Sequence, residues 1–261
     1  MKSGIIVRII RKIRALFTKE RQYYSPFFQR SVKVYKKKWT GPEFKFNKKD
    51  SFPITTEYNK CAGVVDSHYF LQDIYFAKII NQNSPKVHYD IGSRVDGFIA
   101  HLLSAQIIQK IILIDIRPFP IQVDGLSFVQ GDAMDLSTIE NESIESLSSL
   151  HAIEHFGLGR YGDPIDPNGW KKGLKSIQMK ISRGGVFYLA LPVGNKNRLC
   201  FNAHRIFLPE LVIQTLDEME LVSFSYIQDY TIYSVPVEDM KNIRSCLGKY
   251  DCGLFVFRKK N

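Results

Sequence analysis

The densest group of potentially reactive side chains is the segment His151-Ala-Ile-Glu154-His155. Histidine changes its charge near neutral pH, so either ring could act as a general base that Glu154 orients. On a helix, the same H-x-x-E-H pattern could instead hold a zinc ion with the glutamate as base. A serine- and leucine-rich stretch precedes the segment and glycines follow it, which disfavours a helix. We therefore predict a catalytic cluster at the end of a strand and assign no metal ligand; a zinc hydrolase using His151 and His155 is the alternative.

Two later segments carry hydrogen-bonding and cationic groups. Residues 156–166 are rich in glycine and could close over a substrate. The segment Phe201-Asn-Ala-His-Arg205 ends in a guanidinium, whose planar fork could hold a carboxylate or a phosphate. An ordinary surface loop or turn is the alternative for both. The candidate substrate-binding residues are Arg160, Tyr161, Asp163, Asn202, His204 and Arg205.

A third set of polar residues follows apolar segments at the spacing of a nucleotide-type site. Gly92 would let backbone N–H groups approach a ligand closely. Asp115 lies 23 positions beyond Gly92, and an ionised carboxylate at about this distance can accept hydrogen bonds from both hydroxyls of a ribose. The candidate cofactor-binding residues are Asp90, Gly92, Ser93, Asp115 and Asp132.

These residues need a scaffold, and the apolar pattern predicts one. Short strands are expected over residues 87–91, 110–115, 126–130, 146–150 and 185–191, the last of them stopped by Pro192. Helices are expected over residues 69–80, 98–108 and 208–219, and two final strands over 221–230 and 253–258 could pair. The prediction is an α/β fold, a Rossmann-like doubly wound and mostly parallel sheet with polar residues at the carboxyl ends of its strands.

Several of these segments resemble the family catalogued as domain of unknown function 268 (DUF268), over approximately residues 67–230. The resemblance is carried by Tyr89-Asp-Ile-Gly-Ser-Arg-Val-Asp-Gly-Phe98, Ile114-Asp-Ile-Arg-Pro118, Gly131-Asp-Ala133, Ser148-Ser-Leu-His-Ala-Ile-Glu-His-Phe-Gly-Leu-Gly-Arg-Tyr-Gly-Asp163 and Phe201-Asn-Ala-His-Arg205. That family is similar to class I S-adenosylmethionine-dependent methyltransferases, and its bacterial members tend to occur among surface-polysaccharide genes.

The resemblance implies a methyltransferase that uses S-adenosylmethionine and acts on a sugar or surface-polysaccharide precursor at the cytoplasmic membrane face. Asp115 would then meet the ribose, and Asp132 would lie near the adenine. The methyltransferase turn usually reads D-x-G-x-G-x-G, whereas this chain places Arg94 and Asp96 at the second and third glycine positions. This departure favours the alternative of a non-catalytic Rossmann-like module that binds a nucleotide or a partner in glycan assembly.

Charge separates the chain into two parts. Residues 1–49 hold 15 Lys and Arg against Glu20 and Glu43, a balance of +13, so the other 212 residues carry −3 of the total of +10. We predict an extension over residues 1–60 and a methyltransferase-type domain over 61–261. Residues 1–20 are expected to form a basic amphipathic helix on an anionic membrane surface; a helix docked on the domain or a dimer contact is the alternative.

The remaining features concern location and partners. No apolar run approaches the roughly 20 residues of a spanning helix, and Arg8 and Arg11 interrupt any signal-peptide core. Four scattered cysteines indicate reduced thiols. The acidic balance of the domain argues against nucleic-acid binding. We expect a cytoplasmic protein, peripheral on the inner face of the plasma membrane, and leave its oligomeric state open.

Overall fold

The computed structural model describes residues 23–56 and 68–261. Contacts divide the chain into two compact units, Met1–Val64 and Val65–Asn261. In the first unit, helix α1 spans Pro26–Lys38. Ser25 caps its start, because the Ser25 Oγ accepts a hydrogen bond from the Phe28 N–H at 3.2 Å. Three consecutive lysines end the helix, where cations suit the helix dipole.

The amphipathic helix expected over residues 1–20 lies outside the described residues, and its membrane role stays a prediction. Among the helices that the structure describes, none combines the length and the apolar character needed to cross a membrane.

The second unit is built on an eight-stranded sheet. Its strands are β1 (Val87–Ile91), β2 (Lys110–Asp115), β3 (Leu126–Gln130), β4 (Ile144–Leu150), β5 (Ile181–Val193), β8 (Met219–Gln228), β9 (Thr231–Val235) and β10 (Asp251–Lys259). Their order in the sheet is β3-β2-β1-β4-β5-β10-β8-β9. The pairs from β3 to β5 are all parallel, whereas β10 runs antiparallel to both β5 and β8. A separate hairpin joins β6 (Arg198–Cys200) to β7 (His204–Ile206).

Helices cover this sheet: α2 (Tyr69–Asn83), α3 (Ala100–Ala105), α4 (Gly169–Lys180) and α5 (Pro209–Thr215). A π-helical turn, Val95–Ile99, leads into α3, and 3-10 segments occupy Ile153–His155 and Val237–Ser245. Apolar side chains alternate along β5 between two buried clusters. Phe187 and Leu189 join one cluster, and Tyr188 and Ala190 join the other. The sheet is therefore buried on both faces, which confirms the predicted mostly parallel α/β fold.

Of the predicted boundaries that differ from the structure, three have a local explanation. Strand β5 passes through Pro192, because proline loses only its N–H: the Pro192 carbonyl still accepts from the Phe207 N–H at 2.9 Å. Helix α3 ends at Ala105, where Gln106 takes a left-handed conformation with φ of 55°. Helix α5 ends at Thr215, since Leu216 leaves helical geometry with ψ of 58°.

Candidate active site

Two adjoining cavities open at the carboxyl ends of β1, β2 and β4. The large cavity has a volume of about 450 Å³, and the narrow cavity has a volume of about 60 Å³. Both are lined by Gly92, Asp115, Arg117, His151, His155 and Tyr161. Asp132 lines the narrow cavity but not the large one. Residues predicted to bind a nucleotide-type cofactor and the predicted catalytic histidines therefore lie at the same edge of the sheet.

The turn after β1 fits its predicted shape. Gly92 has φ of +67°, and a Cβ atom there would lie 2.9 Å from the Ala152 Cβ, so a larger residue would be both strained and obstructed. Asp90 holds this turn from below: its carboxylate accepts from the Ser93 N–H at 3.0 Å, from the Ser93 Oγ at 2.6 Å and from the Ser148 Oγ at 2.5 Å. Ser93 reaches the large cavity, whereas Asp90 lies beneath it and positions the turn.

The acid expected at a ribose already has a partner. Arg117 donates to Asp115 through its Nε at 3.0 Å, through its Nη2 at 2.7 Å and through its backbone N–H at 2.8 Å. The same guanidinium lies 4.4 Å from the centre of the Tyr161 ring. Asp132 accepts from the Met134 N–H at 2.9 Å. A diol could share the Asp115 carboxylate with Arg117 or displace this half-exposed cation from it.

The three predicted catalytic residues lie together, and all are buried. His151 Nδ1 lies 2.7 Å from Glu154 Oε1, and His155 Nε2 lies 3.7 Å from the same oxygen. His155 donates from Nδ1 to the Ala203 carbonyl at 2.6 Å, which leaves its Nε2 without a proton in the neutral ring. Although burial acts to raise it, the neighbouring His151 and His155 hold the pKa of Glu154 below its usual range. Burial lowers the pKa of His155, so the ring is neutral and basic at Nε2.

The glycine-rich loop after the cluster is ordered by Asp163. Its carboxylate accepts from the backbone N–H groups of Gly157 at 2.8 Å, Gly159 at 3.2 Å and Tyr161 at 3.2 Å. This loop brings Arg160 and Tyr161 to the large cavity. Arg160 is fixed by a 2.9 Å hydrogen bond to the Ala203 carbonyl.

The segment after β5 is divided between the cavity and the protein interior. His204 lines the large cavity together with His155. Asn202 is exposed and lies outside the lining of both cavities. The structure contradicts the prediction that Arg205 binds a substrate anion. Its buried guanidinium donates instead to the carbonyls of Phe156 at 2.7 Å and Pro167 at 3.3 Å. It fastens the 156–166 loop instead.

Sequence reasoning missed four further residues that line the large cavity: Tyr69, Arg94, Arg117 and Tyr250. Arg94 stacks 5.3 Å from the Tyr69 ring centre and pairs with Asp96 at 3.2 Å. The residues that replace two glycines of the common turn therefore form an ion pair at the cavity, and Arg94 contributes a cation to its wall. The only sequence signal for Arg117 was its place in the Ile114–Pro118 motif.

The structure also contradicts the alternative in which His151 and His155 together bind a zinc ion. His151 directs Nδ1 to Glu154, and His155 directs Nδ1 to Ala203. Within residues 23–56 and 68–261, His155 belongs to no group of three side chains with metal-ligand spacing. The 3-10 segment at Ile153–His155 is too short to display the two histidines as one helical face.

Comparison with known proteins supports the sequence resemblance. The family described as "Caenorhabditis protein of unknown function, DUF268" matches residues 124–247. The match starts after the predicted motifs at Gly92 and Asp115 and extends past the expected end at residue 230. No curated protein matches the chain.

Solved structures match about three quarters of the chain. A didemethyltoxoflavin N1-methyltransferase of Burkholderia thailandensis, bound to S-adenosylhomocysteine, has 14% identity, 74% coverage of this chain and 80% of its own, and a TM-score of 0.53. The N-methyltransferase NodS of Bradyrhizobium japonicum has 15% identity, 76% and 100% coverage, and a TM-score of 0.51. The cyclase SpnF has 12% identity, 71% and 81% coverage, and a TM-score of 0.51. The chain therefore has the Rossmann-like fold of class I methyltransferases and resembles the DUF268 family across residues 124–247.

Proposed function

We propose that this protein is an S-adenosylmethionine-dependent methyltransferase that acts on a sugar or surface-polysaccharide precursor at the cytoplasmic membrane face. One observation carries the proposal: Gly92, Asp115 and Asp132 line a narrow cavity that continues into a larger one with an imidazole wall. The first supplies a nucleoside-type site, and the second supplies room and a base for an acceptor.

The residues around the narrow cavity fit the cofactor. Gly92 has no Cβ atom to intrude on a ligand, Asp115 offers carboxylate oxygens to a ribose, and Asp132 lines the same cavity. When bound, S-adenosylmethionine supplies an electrophilic methyl group on a sulfonium. The protein then has to align an acceptor oxygen, exclude water and remove a proton.

His155 is the best-placed base. Its Nδ1–H is fixed by the Ala203 carbonyl, so Nε2 carries the lone pair, and the ring lines both cavities. Glu154 stands 3.7 Å from that nitrogen and would stabilise the imidazolium that forms after proton uptake. A hydroxyl acceptor, such as that of a sugar, needs this assistance.

The large cavity suits an acceptor with negative charge. Arg94, Arg117 and Arg160 all line it, and guanidinium groups bind phosphate or carboxylate in a paired fork. A nucleotide-activated or acidic sugar presents such groups beside its hydroxyls. The membrane location draws on the basic first unit, in which α1 ends in Lys36, Lys37 and Lys38 beside the exposed Tyr35.

A binding module is the second candidate, and two observations favour it. Arg117 already pairs with the carboxylate expected at the ribose, and Arg94 and Asp96 stand where glycines are common. SpnF has the same fold and is a cyclase, so the fold does not fix the reaction.

Titration calorimetry of the full chain with S-adenosylmethionine and S-adenosylhomocysteine tests the proposal. We expect binding that Asp115→Ala weakens by about 1–3 kcal/mol, the usual effect of losing a charged hydrogen-bond partner. Asp124→Ala is the matched control, because Asp124 is exposed in the loop before β3. Absence of heat with both ligands at millimolar concentration would reject the methyltransferase. Binding without transfer of labelled methyl groups to nucleotide-activated sugars would favour the module.

Co-sedimentation with vesicles tests the membrane part separately. The full chain should bind phosphatidylglycerol vesicles at low salt and lose most of that binding at high salt, because exposed charges are screened. Equal binding to neutral phosphatidylcholine vesicles would contradict an electrostatic attachment.

A further inference from the structure

Three side chains of metal-binding type meet beside the large cavity, and the proposed base His155 is not one of them. They are His68, directly before α2, His151, directly after β4, and Cys252 in β10. Their ligand atoms all lie within 4.8 Å of one another. In the part of the chain that the structure describes, this is the only group of three with metal-ligand spacing.

The distances suit a single bound ion. His151 Nε2 lies 3.4 Å from Cys252 Sγ, and the His68 and His151 ring centres are 4.5 Å apart. With zinc–nitrogen and zinc–sulfur bonds of about 2.0 and 2.3 Å, tetrahedral angles separate the two ligand atoms by about 3.6 Å. The His151–Cys252 pair is therefore already at the separation that one zinc ion would impose.

The neighbours of His151 complete the pattern of a metal ligand. Its Nδ1 lies 2.7 Å from the buried Glu154 carboxylate, which leaves Nε2 to face Cys252. A histidine that binds a metal through one nitrogen commonly donates its other N–H to a carboxylate, which fixes the ring orientation.

His68 supplies an independent observation. Its Nε2 is buried and has no hydrogen-bond partner among the described residues. A buried polar atom without a partner costs free energy, and coordination of an ion would satisfy it. A thiol–imidazole hydrogen bond accounts for Cys252 and His151, with Gln72 Oε1 3.5 Å from the sulfur, but it leaves His68 Nε2 unexplained.

The cluster is also accessible. His68 and Cys252 line a further cavity of about 260 Å³, the side cavity, while His151 lines the large cavity. An ion could enter through the side cavity and bind His151 at the wall of the large cavity. Two imidazoles and a thiolate suit borderline-soft cations such as Zn²⁺, whereas Mg²⁺ and Ca²⁺ prefer oxygen ligands.

We propose that this protein binds one Zn²⁺ ion through His68, His151 and Cys252, with Glu154 holding His151 in place. Three protein ligands leave a coordination position for water or for a substrate oxygen. The site differs from the His151 and His155 pair considered from sequence, and it does not depend on methyl transfer.

The test uses the full chain, stripped with a chelator, dialysed against ZnCl₂ and analysed for metal by mass spectrometry. We expect one zinc per chain in the wild type and in Cys246→Ser, the matched control at an exposed thiol. Cys252→Ser and His68→Gln should lose zinc affinity by at least about 100-fold, since each removes a direct ligand rather than a supporting contact.

Cobalt substitution gives a second measurement on the same proteins. A thiolate-to-cobalt charge-transfer band should appear in the wild type and in Cys246→Ser and be absent from Cys252→Ser, with circular dichroism confirming that each variant is folded. Wild-type protein that retains no zinc and shows no cobalt band overturns the proposal, even if a variant fails to fold. Zinc held equally well by folded Cys252→Ser also overturns it.

Discussion

Two clusters of polar groups belong to the same sheet, one between β1 and β4 and the other at the sheet edge. They differ in how many of their buried polar atoms have hydrogen-bond partners. The floor cluster joins His88, Asp90, Ser146 and Ser148 between β1 and β4. His88 lies 2.8 Å from the hydroxyl of Ser146 through one ring nitrogen and 2.8 Å from that of Ser148 through the other. Ser148 also donates to Asp90 at 2.5 Å, so these groups form one continuous chain of hydrogen bonds.

The rim cluster contains His68, His151, Glu154 and Cys252, at the sheet edge where the parallel strands end and the antiparallel β10 begins. Two of its buried atoms, Glu154 Oε2 and His68 Nε2, have no hydrogen-bond partner among the described residues. Paired networks make a core rigid, whereas unpaired buried groups cost stability unless a ligand satisfies them. The difference indicates that the floor cluster maintains the fold and that the rim cluster is built to bind.

The largest expected effect concerns His155, whose Nε2 lies 3.7 Å from Glu154 of the rim cluster. His155→Ala should lower methyl-transfer turnover about 100- to 10,000-fold, because it removes the proposed base, while cofactor affinity stays unchanged. Steady-state kinetics with labelled cofactor and calorimetry measure the two quantities. His101→Ala, at an exposed histidine of α3, is the control. Unchanged turnover, or a loss confined to cofactor binding, would contradict the role of His155.

The next effect concerns the floor. Ser148→Ala removes the hydroxyl that lies between His88 and Asp90, and it should lower the free energy of unfolding by about 2–4 kcal/mol, because two buried groups lose a partner. Urea unfolding followed by circular dichroism measures it. Ser137→Ala is the control at an exposed serine. A change below about 0.5 kcal/mol would mean that the floor cluster does not support the fold.

A smaller effect concerns pH. Burial lowers the pKa of His88 to about 3 and raises that of Asp90 to about 6. As pH falls below 6.5, the unfolded His88 takes up a proton that the folded ring refuses, so stability is lost. Between pH 6 and 4 the folded Asp90 takes up a proton that the unfolded carboxylate refuses, so stability is gained.

The two contributions oppose each other, and removing one should reveal the other. Between pH 7 and 5, Asp90→Asn should lose about 1 kcal/mol more unfolding free energy than the wild type, because it lacks the gain at Asp90. Urea unfolding at both pH values provides the measurement. Parallel losses in the two proteins would show that Asp90 does not titrate in this range.

The smallest effect returns to the rim. In metal-free protein, His68→Phe should leave the unfolding free energy unchanged or raise it by up to about 1 kcal/mol, because it replaces a buried unpaired nitrogen with apolar surface. Thermal unfolding after chelation measures it. A clear loss of stability would place His68 with the paired groups of the floor and remove the contrast between the clusters.

The sequence predicted the centre of the fold better than its edges. Strands β1 to β4 are short apolar runs whose burial leaves little choice of conformation, and their bounds matched within two residues. Strand β9 was missed because it lies at the sheet edge with mostly exposed side chains, and the β6–β7 hairpin was missed because its strands have three residues each. Neither gives a periodic apolar signal.

Within the site, residues close to the strand ends were predictable and distant ones were not. Asp115, His155 and His204 reach the cavities as their positions after successive strands implied. Tyr69 and Tyr250 line the same cavity although 181 positions separate them in sequence. Their proximity follows from β10 inserting beside β5, which no local pattern encodes.

That insertion also sets the order in which the protein can be completed. β5 and β8 emerge from the ribosome before β10, and until β10 arrives each has one long edge without a partner. Exposed edges of this kind pair readily with other chains. A nascent or truncated chain lacking β10 should therefore aggregate. Because Cys252 belongs to β10, the rim cluster is complete only after this strand has paired with β5 and β8.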